Sequence, residues 1–327
     1  MDIVTGATGH LGNALVRALL IKGRGVRVLV RRSSDLYCFE DLDIEIVYGD
    51  LLDKRTLAAA FATIDTVYHA AGLVSFGIVD TDDLYAVNVR GTANVIDACL
   101  ECKARRLVYI SSIEALDLAG SSRPITESGG FRPDYTIMKY GKSKAQASLD
   151  VLRAVEQRGL DAVIACPTGF VGPYDFKISS IGKLFIDYVH RRLPVIIGGG
   201  FDFVDIRDVA DGLLAANQHG KKGEFYILSG HFRSVSDFIR VIREATGISF
   251  PSIKLPHWLA LFFSFFAEIY YKVRNSPPRF TRNSVRILAL DVQVSSEKAG
   301  RELGYSARPF QQTVRETIEW LRQEGYL

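Results

Sequence analysis

The sequence predicts an α/β fold: a doubly wound parallel sheet carrying a smaller, mainly helical lobe. Three observations lead there. Short apolar runs alternate with helix-period stretches through the first half of the chain. A glycine-spaced turn stands at the first strand–helix junction. From about Ser234 the strands give way to helical segments interrupted by prolines at 251, 256, 277 and 278. At 327 residues the chain suits a large α/β domain with a companion. A net charge of +3, with no block of like charges, gives no argument for a nucleic-acid partner.

The elements follow in order. "DIVT" (2–5) is a short buried strand, and His10 to Lys22 places Leu11, Leu15, Ala18 and Leu19 at helical spacing. "GVRVLVR" (25–31) alternates and is rich in β-branched residues, so it is strand two. "IEIVY" (44–48) is strand three, "LAAAFA" (57–62) sits in a short helix, and "DTVYHAA" (65–71) is strand four. A long helix is expected from about Leu84 to Lys103. "RLVYISS" (106–112) is strand five, a helix carrying Tyr140 runs to about Arg158, and "LDAVIACP" (160–167) is strand six. "FYILSG" (225–230) can rejoin the sheet. Helices of this length between strands imply right-handed crossovers, and ligands then bind beyond the carboxyl ends of the strands. The expected division is 1–170, with parts of 195–230, as the cofactor domain, and 171–194 with 231–327 as the substrate lobe.

"TGATGHLG" (5–12) sets Gly6, Gly9 and Gly12 between strand one and helix one. The chain needs a tight turn, then close approach to a pyrophosphate, then close helix–strand packing, and each demand excludes a side chain. The helix start offers free N–H groups to phosphate. The turn as a whole, with Thr8, His10 and Leu11, is therefore expected to hold a dinucleotide.

The G-x-x-G-x-x-G spacing resembles the short-chain dehydrogenase/reductase superfamily in its extended form, and the resemblance covers nearly the whole chain. It implies a Rossmann fold. Strand two ends in Arg31-Arg32, where an NAD binder usually carries an acid for the ribose 2′-hydroxyl. A guanidinium pairs with a 2′-phosphate in bidentate fashion, so NADP(H) is expected over NAD(H), which stands as the alternative. By the resemblance, Asp50 of "GDLLD" meets the adenine amino group with Leu51 beside it. The small residues Ala70, Ala71 and Gly72 of "HAAG" likewise let the backbone pass near the adenine ribose.

Tyr140 and Lys144, in "MKYGKSKA" (138–145), are four apart. On a helix they share a face, with side-chain bases roughly 5–6 Å apart, while Lys139 and Lys142 point elsewhere. A phenol titrates near 10 in isolation, and a neighbouring ammonium is expected to lower that value and make Tyr140 a usable acid–base. Lys144 would also bond the nicotinamide ribose. The family places a hydroxyl just after strand five, which assigns the substrate-oxygen contact to Ser112 rather than Ser111. It also often places an Asn in the long helix as part of a proton relay, matched here by Asn88. "ACPTGFVGP" resembles the family's nicotinamide-side loop, which implies packing of Pro167, Thr168, Gly169 and Phe170 against nicotinamide and ribose. Asp205 and Asp208 read as helix caps and ion-pair partners.

Within the superfamily the chain resembles the branch of dihydroflavonol-4-reductases and 3β-hydroxysteroid dehydrogenases. That implies reduction of a ketone or aldehyde, or oxidation of the alcohol, on a lipophilic or aromatic small molecule. A nucleotide-sugar epimerase or dehydratase with bound NAD is the alternative. Such enzymes typically carry Arg-Tyr-Phe-Asn before the x-x-Gly-Pro, and alignment on Gly172-Pro173 puts Cys166 at that Arg and Gly169 at that Asn. A non-catalytic NADP-sensing regulator is a third reading, although such members often lose the Tyr or Lys.

"HWLALFFSFFAEIYYKV" (257–273) is nearly continuous apolar and aromatic residues. Its core of about 14 residues is shorter than the roughly 20 of a bilayer span. It is expected mainly as lobe core lining the substrate pocket, with a membrane-surface contact or a dimer surface less favoured. A homodimer is the assembly the family often forms. The C-x-x-C of Cys99 and Cys102 lacks a second Cys/His pair, so thiols rather than a metal site are expected. With no legible leader, a cytoplasmic location is expected.

Overall fold

The computed structural model describes residues 1–74, 81–120, 124–193, 195–274 and 282–327. Seven strands form its main sheet: β1 (Asp2–Thr5), β2 (Val26–Val30), β3 (Glu45–Tyr48), β4 (Thr66–His69), β5 (Arg106–Ile110), β6 (Ala162–Pro167) and β10 (Phe225–Leu228). Their order is β3-β2-β1-β4-β5-β6-β10, and every pairing is parallel. The direction of winding reverses between β1 and β4, so the crevice for a ligand opens where Thr5 lies in register with His69. There the Thr5 hydroxyl and His69 Nδ1 are 2.7 Å apart.

Helices cover both faces, which is why β1, β4 and β6 are buried throughout and read as continuous apolar runs. On one face α1 (His10–Ile21) packs against α7 (Ile206–His219), with Leu15, Leu19, Val209 and Leu213 in one core. On the other lie α2 (Lys54–Phe61), α4 (Gly91–Glu101) and α5 (Lys139–Arg158), contributing Leu57, Phe61, Val95 and Val151. The buried face of α5 runs Tyr140, Ser143, Lys144, Ala147, Ser148, Val151, Ala154, a helical spacing dominated by small residues. The helix ends at Gly159, left-handed at φ +74°, whose N–H bonds the Ala154 carbonyl.

The expected long helix from about Leu84 to Lys103 is present, helical from Thr81 to Glu101, but one stretch of it is not α. A short helix α3 (Thr81–Tyr85) passes into a π turn over Ala86–Arg90 before α4 begins. The widened turn sits at Asn88, and such turns gather at functional sites.

The lobe centres on a three-stranded sheet of β7 (Gly169–Val171), β9 (Gly200–Asp205) and β11 (His231–Ser234). Against it lie α6 (Ser180–Val189), α8 (Val235–Thr246) and α12 (Phe310–Gln323), which bury Phe185, Phe238 and Phe310 together. A two-stranded ladder of β8 (Val195–Ile197) and β12 (Ile253–Leu255) precedes α9 (His257–Arg274) and α10 (Arg282–Ala289). α11 (Glu297–Leu303) packs on α7 and β10.

α9 departs from the expectation of lobe core. Ala260 and Ser264 are buried, but Trp258, Phe262, Phe263 and Phe266 are each at least half exposed. Among the described side chains of α9 burial is thus one-sided, and the helix packs against α10. No described helix is long and apolar enough to cross a membrane.

Candidate active site

The glycine turn is built as a cradle. Gly6 has φ +70°, and a Cβ there would sit 2.5 Å from the Ala71 backbone nitrogen. A Cβ on Gly12 would run into the Gly6 carbonyl. Glycine therefore lets the 5–12 turn press against the 70–72 loop of β4 and then onto its own helix. Gly9 occupies the cap position of α1 with no side-chain cap, and no acid stands in the first turn. The helix start thus keeps N–H groups for an anion, which fits a dinucleotide pyrophosphate.

The neighbouring residues divide into those that face this cradle and those turned elsewhere. Lys177, missed by sequence reasoning, reaches from the lobe and donates to the Thr8 hydroxyl at 2.8 Å. The buried Leu11 holds α1 in the core. The His10 ring is turned toward the lobe, 2.9 Å by Nε2 from the Pro173 carbonyl and edge-on to Phe170. Only its backbone can serve the cradle. Arg31 and Arg32 are exposed, with Arg32 over the Tyr48 ring at 5.3 Å. Asp50 is exposed and accepts from the Leu52 N–H at 2.8 Å. Leu51 lies under Gly91, where a Cβ would meet it at 3.2 Å. The half-exposed Ala70 and Ala71 complete this side.

Gly72 brings the second half together, since a Cβ there would lie 3.4 Å from Asn88 Oδ1 and 3.8 Å from Lys144 Nζ. The Asn88 amide is fully engaged: Oδ1 accepts from Leu73 N–H at 2.7 Å, and Nδ2 donates to the Leu73 carbonyl and to Ser143 Oγ. It pins the 72–73 loop to α5. Lys144 is 4% exposed, donates to the Ile110 carbonyl at 2.6 Å, and lies over the Tyr109 ring at 4.4 Å. Burial pulls its pKa down from 10.5 to about 7.

Tyr140 is 9% exposed. Burial, and next the charge of Glu114, push its phenol well above the usual value, while a hydrogen bond with Ser112 opposes both. This corrects the expectation that Lys144 lowers the phenol, because the ammonium is directed at Ile110 and Tyr109 instead. Of the two serines, Ser111 is buried and bonded to Ser148 Oγ at 2.8 Å. Ser112 stands beside Tyr140 and accepts from the Glu114 N–H at 3.2 Å. Glu114 is the second residue that sequence reasoning missed. Its Oε2 is buried without a hydrogen-bond partner, and burial raises its pKa from 4.5 to about 7. The signal available was one acid inside the apolar stretch "SSIEAL".

Pro167 and Thr168 are buried, and the Thr168 hydroxyl donates to Asp202 Oδ1 at 2.6 Å, so its side chain is committed within the lobe junction. Gly169 and Phe170 are half exposed. Asp205 caps α7 by accepting from the Arg207 N–H, and Asp208 pairs with Arg308. Cys99 is buried, and Cys102 donates to the Ala58 carbonyl at 3.5 Å.

A glycine cradle at the switch point, with Ser112 beside the buried Tyr140 and Lys144, is the arrangement of an oxidoreductase of the extended short-chain dehydrogenase/reductase type. The model of the NAD dependent epimerase/dehydratase family matches residues 3–229, and the chain belongs to that family. It is 34% identical to "Sterol demethylase protein B" of Methylococcus capsulatus, over 99% of both chains. It is 32% identical to a Synechocystis protein provisionally named dihydroflavonol 4-reductase, over 99% of this chain and 95% of that one. With the 4-hydroxy-2-methyl-3-oxo-4-farnesyl-3,4-dihydroquinoline-1-oxide ketoreductase of Stigmatella aurantiaca it shares 28% over 98% of this chain and 96% of that one. The crystal structure of gox2253 superposes with a TM-score of 0.87 at 33% identity, covering 100% of this chain and 99% of that one. The chain is thus an oxidoreductase in the dihydroflavonol reductase-like part of an NAD-dependent family.

Proposed function

We propose that the protein reduces a ketone or aldehyde on a lipophilic or aromatic small molecule, or oxidises the corresponding alcohol, with NADP(H) preferred over NAD(H). The observation that carries this reading is the buried Tyr140, joined by Ser112 and neighboured by Lys144, at the carboxyl edge of the sheet. The residues of the cradle fit the cofactor, which when bound would supply or accept the hydride. Gly6, Gly9 and Gly12 with the start of α1 would hold its pyrophosphate. Asp50 and Leu51 would flank adenine, and the 70–72 loop the adenine ribose. Arg31 and Arg32, exposed where an acid would exclude it, suit a 2′-phosphate.

At the reacting end, Ser112 orients the substrate oxygen and Tyr140 donates the proton to it. The raised pKa keeps that proton on the phenol at neutral pH, which suits the reductive direction. Lys144 would bond the nicotinamide ribose, and Asn88 holds the loop and helix that place both. Two relatives support the substrate class by name, one a sterol demethylase protein and one a ketoreductase of a farnesylated ring. The sugar alternative lacks its handle. A Cβ on Gly169 would meet the Phe201 ring at 3.1 Å, and Cys166 is wholly buried.

The test is NADPH consumption against aromatic ketones, aldehydes, sterol ketones and UDP-sugars. A lipophilic carbonyl is expected to be reduced, and Tyr140→Phe to lower kcat by about 100-fold or more with NADPH binding retained. Interconversion of UDP-sugars without net NADPH consumption, or turnover by Tyr140→Phe at the wild-type rate, overturns the reading.

A further inference from the structure

We propose that Glu114 is the residue that returns a proton to Tyr140 after each carbonyl reduction, drawing it from solvent. This rests on the reductase reading above. The geometry begins with the 3-10 turn Ile113–Ala115, which Ser112 caps. The Glu114 carbonyl lies against Gly141, where any Cβ would overlap it, so this turn and the first turn of α5 touch backbone to backbone. The contact sets Glu114 beside Tyr140 closely enough for its charge to act on the phenol.

The carboxyl is kept at the edge of the buried site. Oε2 is sealed and has no hydrogen-bond partner, yet the residue as a whole is partly exposed. An unpaired buried carboxyl oxygen is costly to keep. A proton transfer at the phenol gives it a purpose.

On the other side of Tyr140 the polar groups are already committed to protein partners. Lys144 and Asn88 are 4% and 1% exposed, and their polar groups are bonded to Ile110, Leu73 and Ser143. Among the other ionisable groups packed about this turn, burial pushes Cys166 up to about 12, which makes it a poor source. Glu127 accepts from the Ile227 N–H at 2.9 Å. Glu114, held near neutrality by burial, can both yield a proton to a phenolate and regain one from water.

The step balances. The cofactor, when bound, would supply a hydride to the carbonyl carbon, and the carbonyl oxygen takes the phenolic proton of Tyr140. The phenolate takes the carboxylic proton of Glu114, and the carboxylate is reprotonated by water. Each alcohol formed consumes one hydride and one solvent proton.

Glu114→Gln keeps the shape and removes the transferable proton. Two measurements test it. In the protein without added cofactor, the phenolate absorbance of Tyr140, isolated by subtracting Tyr140→Phe, should appear at lower pH in Glu114→Gln than in wild type. An unchanged titration overturns the pairing of the two residues whatever reaction the enzyme performs. With the best ketone of the panel, wild-type kcat should fall as pH rises through about 7. Glu114→Gln should lose that limb and about tenfold or more in kcat, with KM little changed. Reduction by the variant with the wild-type pH profile overturns this proposal alone. Absence of carbonyl reduction by the wild type overturns the reductase reading with it.

Discussion

Lys144 is the residue whose removal most sharply separates function from stability. The fold holds its ammonium in a buried site that lowers the pKa from 10.5 to about 7. Keeping it fully protonated there costs about 5 kcal/mol relative to the unfolded chain. The sign follows from linkage: the unfolded chain binds more protons between the two values, so wild-type stability rises with pH across that window. The penalty is absent above 10.5, grows as pH falls, and is complete below about 7. At pH 7 it amounts to about 4 kcal/mol and at pH 9.5 to about 1 kcal/mol. Lys144→Met fits the same aliphatic length and has no such term. The stability of wild type minus that of the variant should therefore increase by about 3 kcal/mol between those two pH values. Loss of the bond to the Ile110 carbonyl subtracts about 1–3 kcal/mol from the variant at both, and so leaves the slope untouched. Urea unfolding of the two proteins at each pH reads the difference. Cofactor affinity and turnover should both collapse in the variant. Lys142→Met, on an exposed lysine paired with Asp134 at 3.3 Å, should change neither by more than a few tenths of a kcal/mol. Parallel pH dependences for wild type and Lys144→Met would refute the buried-ammonium reasoning. Equal losses from the two lysines would refute its assignment to the site.

Two further outcomes concern the cofactor. The double change Arg31→Ser with Arg32→Ser should weaken NADPH binding by about 10- to 100-fold, from the loss of charged hydrogen bonds to the 2′-phosphate, and leave NADH nearly unaffected. Fluorescence titration checks this, and tighter NADH than NADPH binding by the wild type would end the NADP preference. Lys177→Ala should weaken either cofactor by a few-fold to about tenfold, less so at high salt because the ammonium is exposed, with kcat at saturation unchanged.

The parts of this molecule that were legible in the sequence are those governed by local periodicity. Strand and helix order followed from runs such as "DIVT" and "RLVYIS". Tyr140 and Lys144 followed from four-residue spacing on a helix whose buried face is otherwise small residues. What escaped depended on contacts between distant segments. Lys177 stands 169 residues from Thr8, and nothing in "YDFKIS" marks it as a neighbour of the glycine turn. Asn88 was legible as a residue of a long helix but not as the centre of a π turn, nor as the residue whose amide bonds Leu73 and Ser143 from distant segments. The run of α9 also misleads by type, since Ser264 is buried while Trp258, Phe262, Phe263 and Phe266 meet solvent.

The expected pKa of Tyr140 failed for a reason that bears on the chemistry. Spacing gives the distance between two side chains on a helix but not the direction of the longer one, and Lys144 is drawn to the Ile110 carbonyl. The first cause of each shift at this site is then the same: burial moves Tyr140 up, Glu114 up and Lys144 down. Every group is driven toward its neutral form. A site built by ion pairing would hold fixed charges and favour a polar or anionic substrate. One built by desolvation would meet a carbonyl with a neutral phenol, so the lipophilic ketone proposed above need not strip water from an ion in order to bind. On the proposed reductase reading, the same burial that makes Lys144 costly to the fold would also suit this edge of the sheet to an apolar substrate.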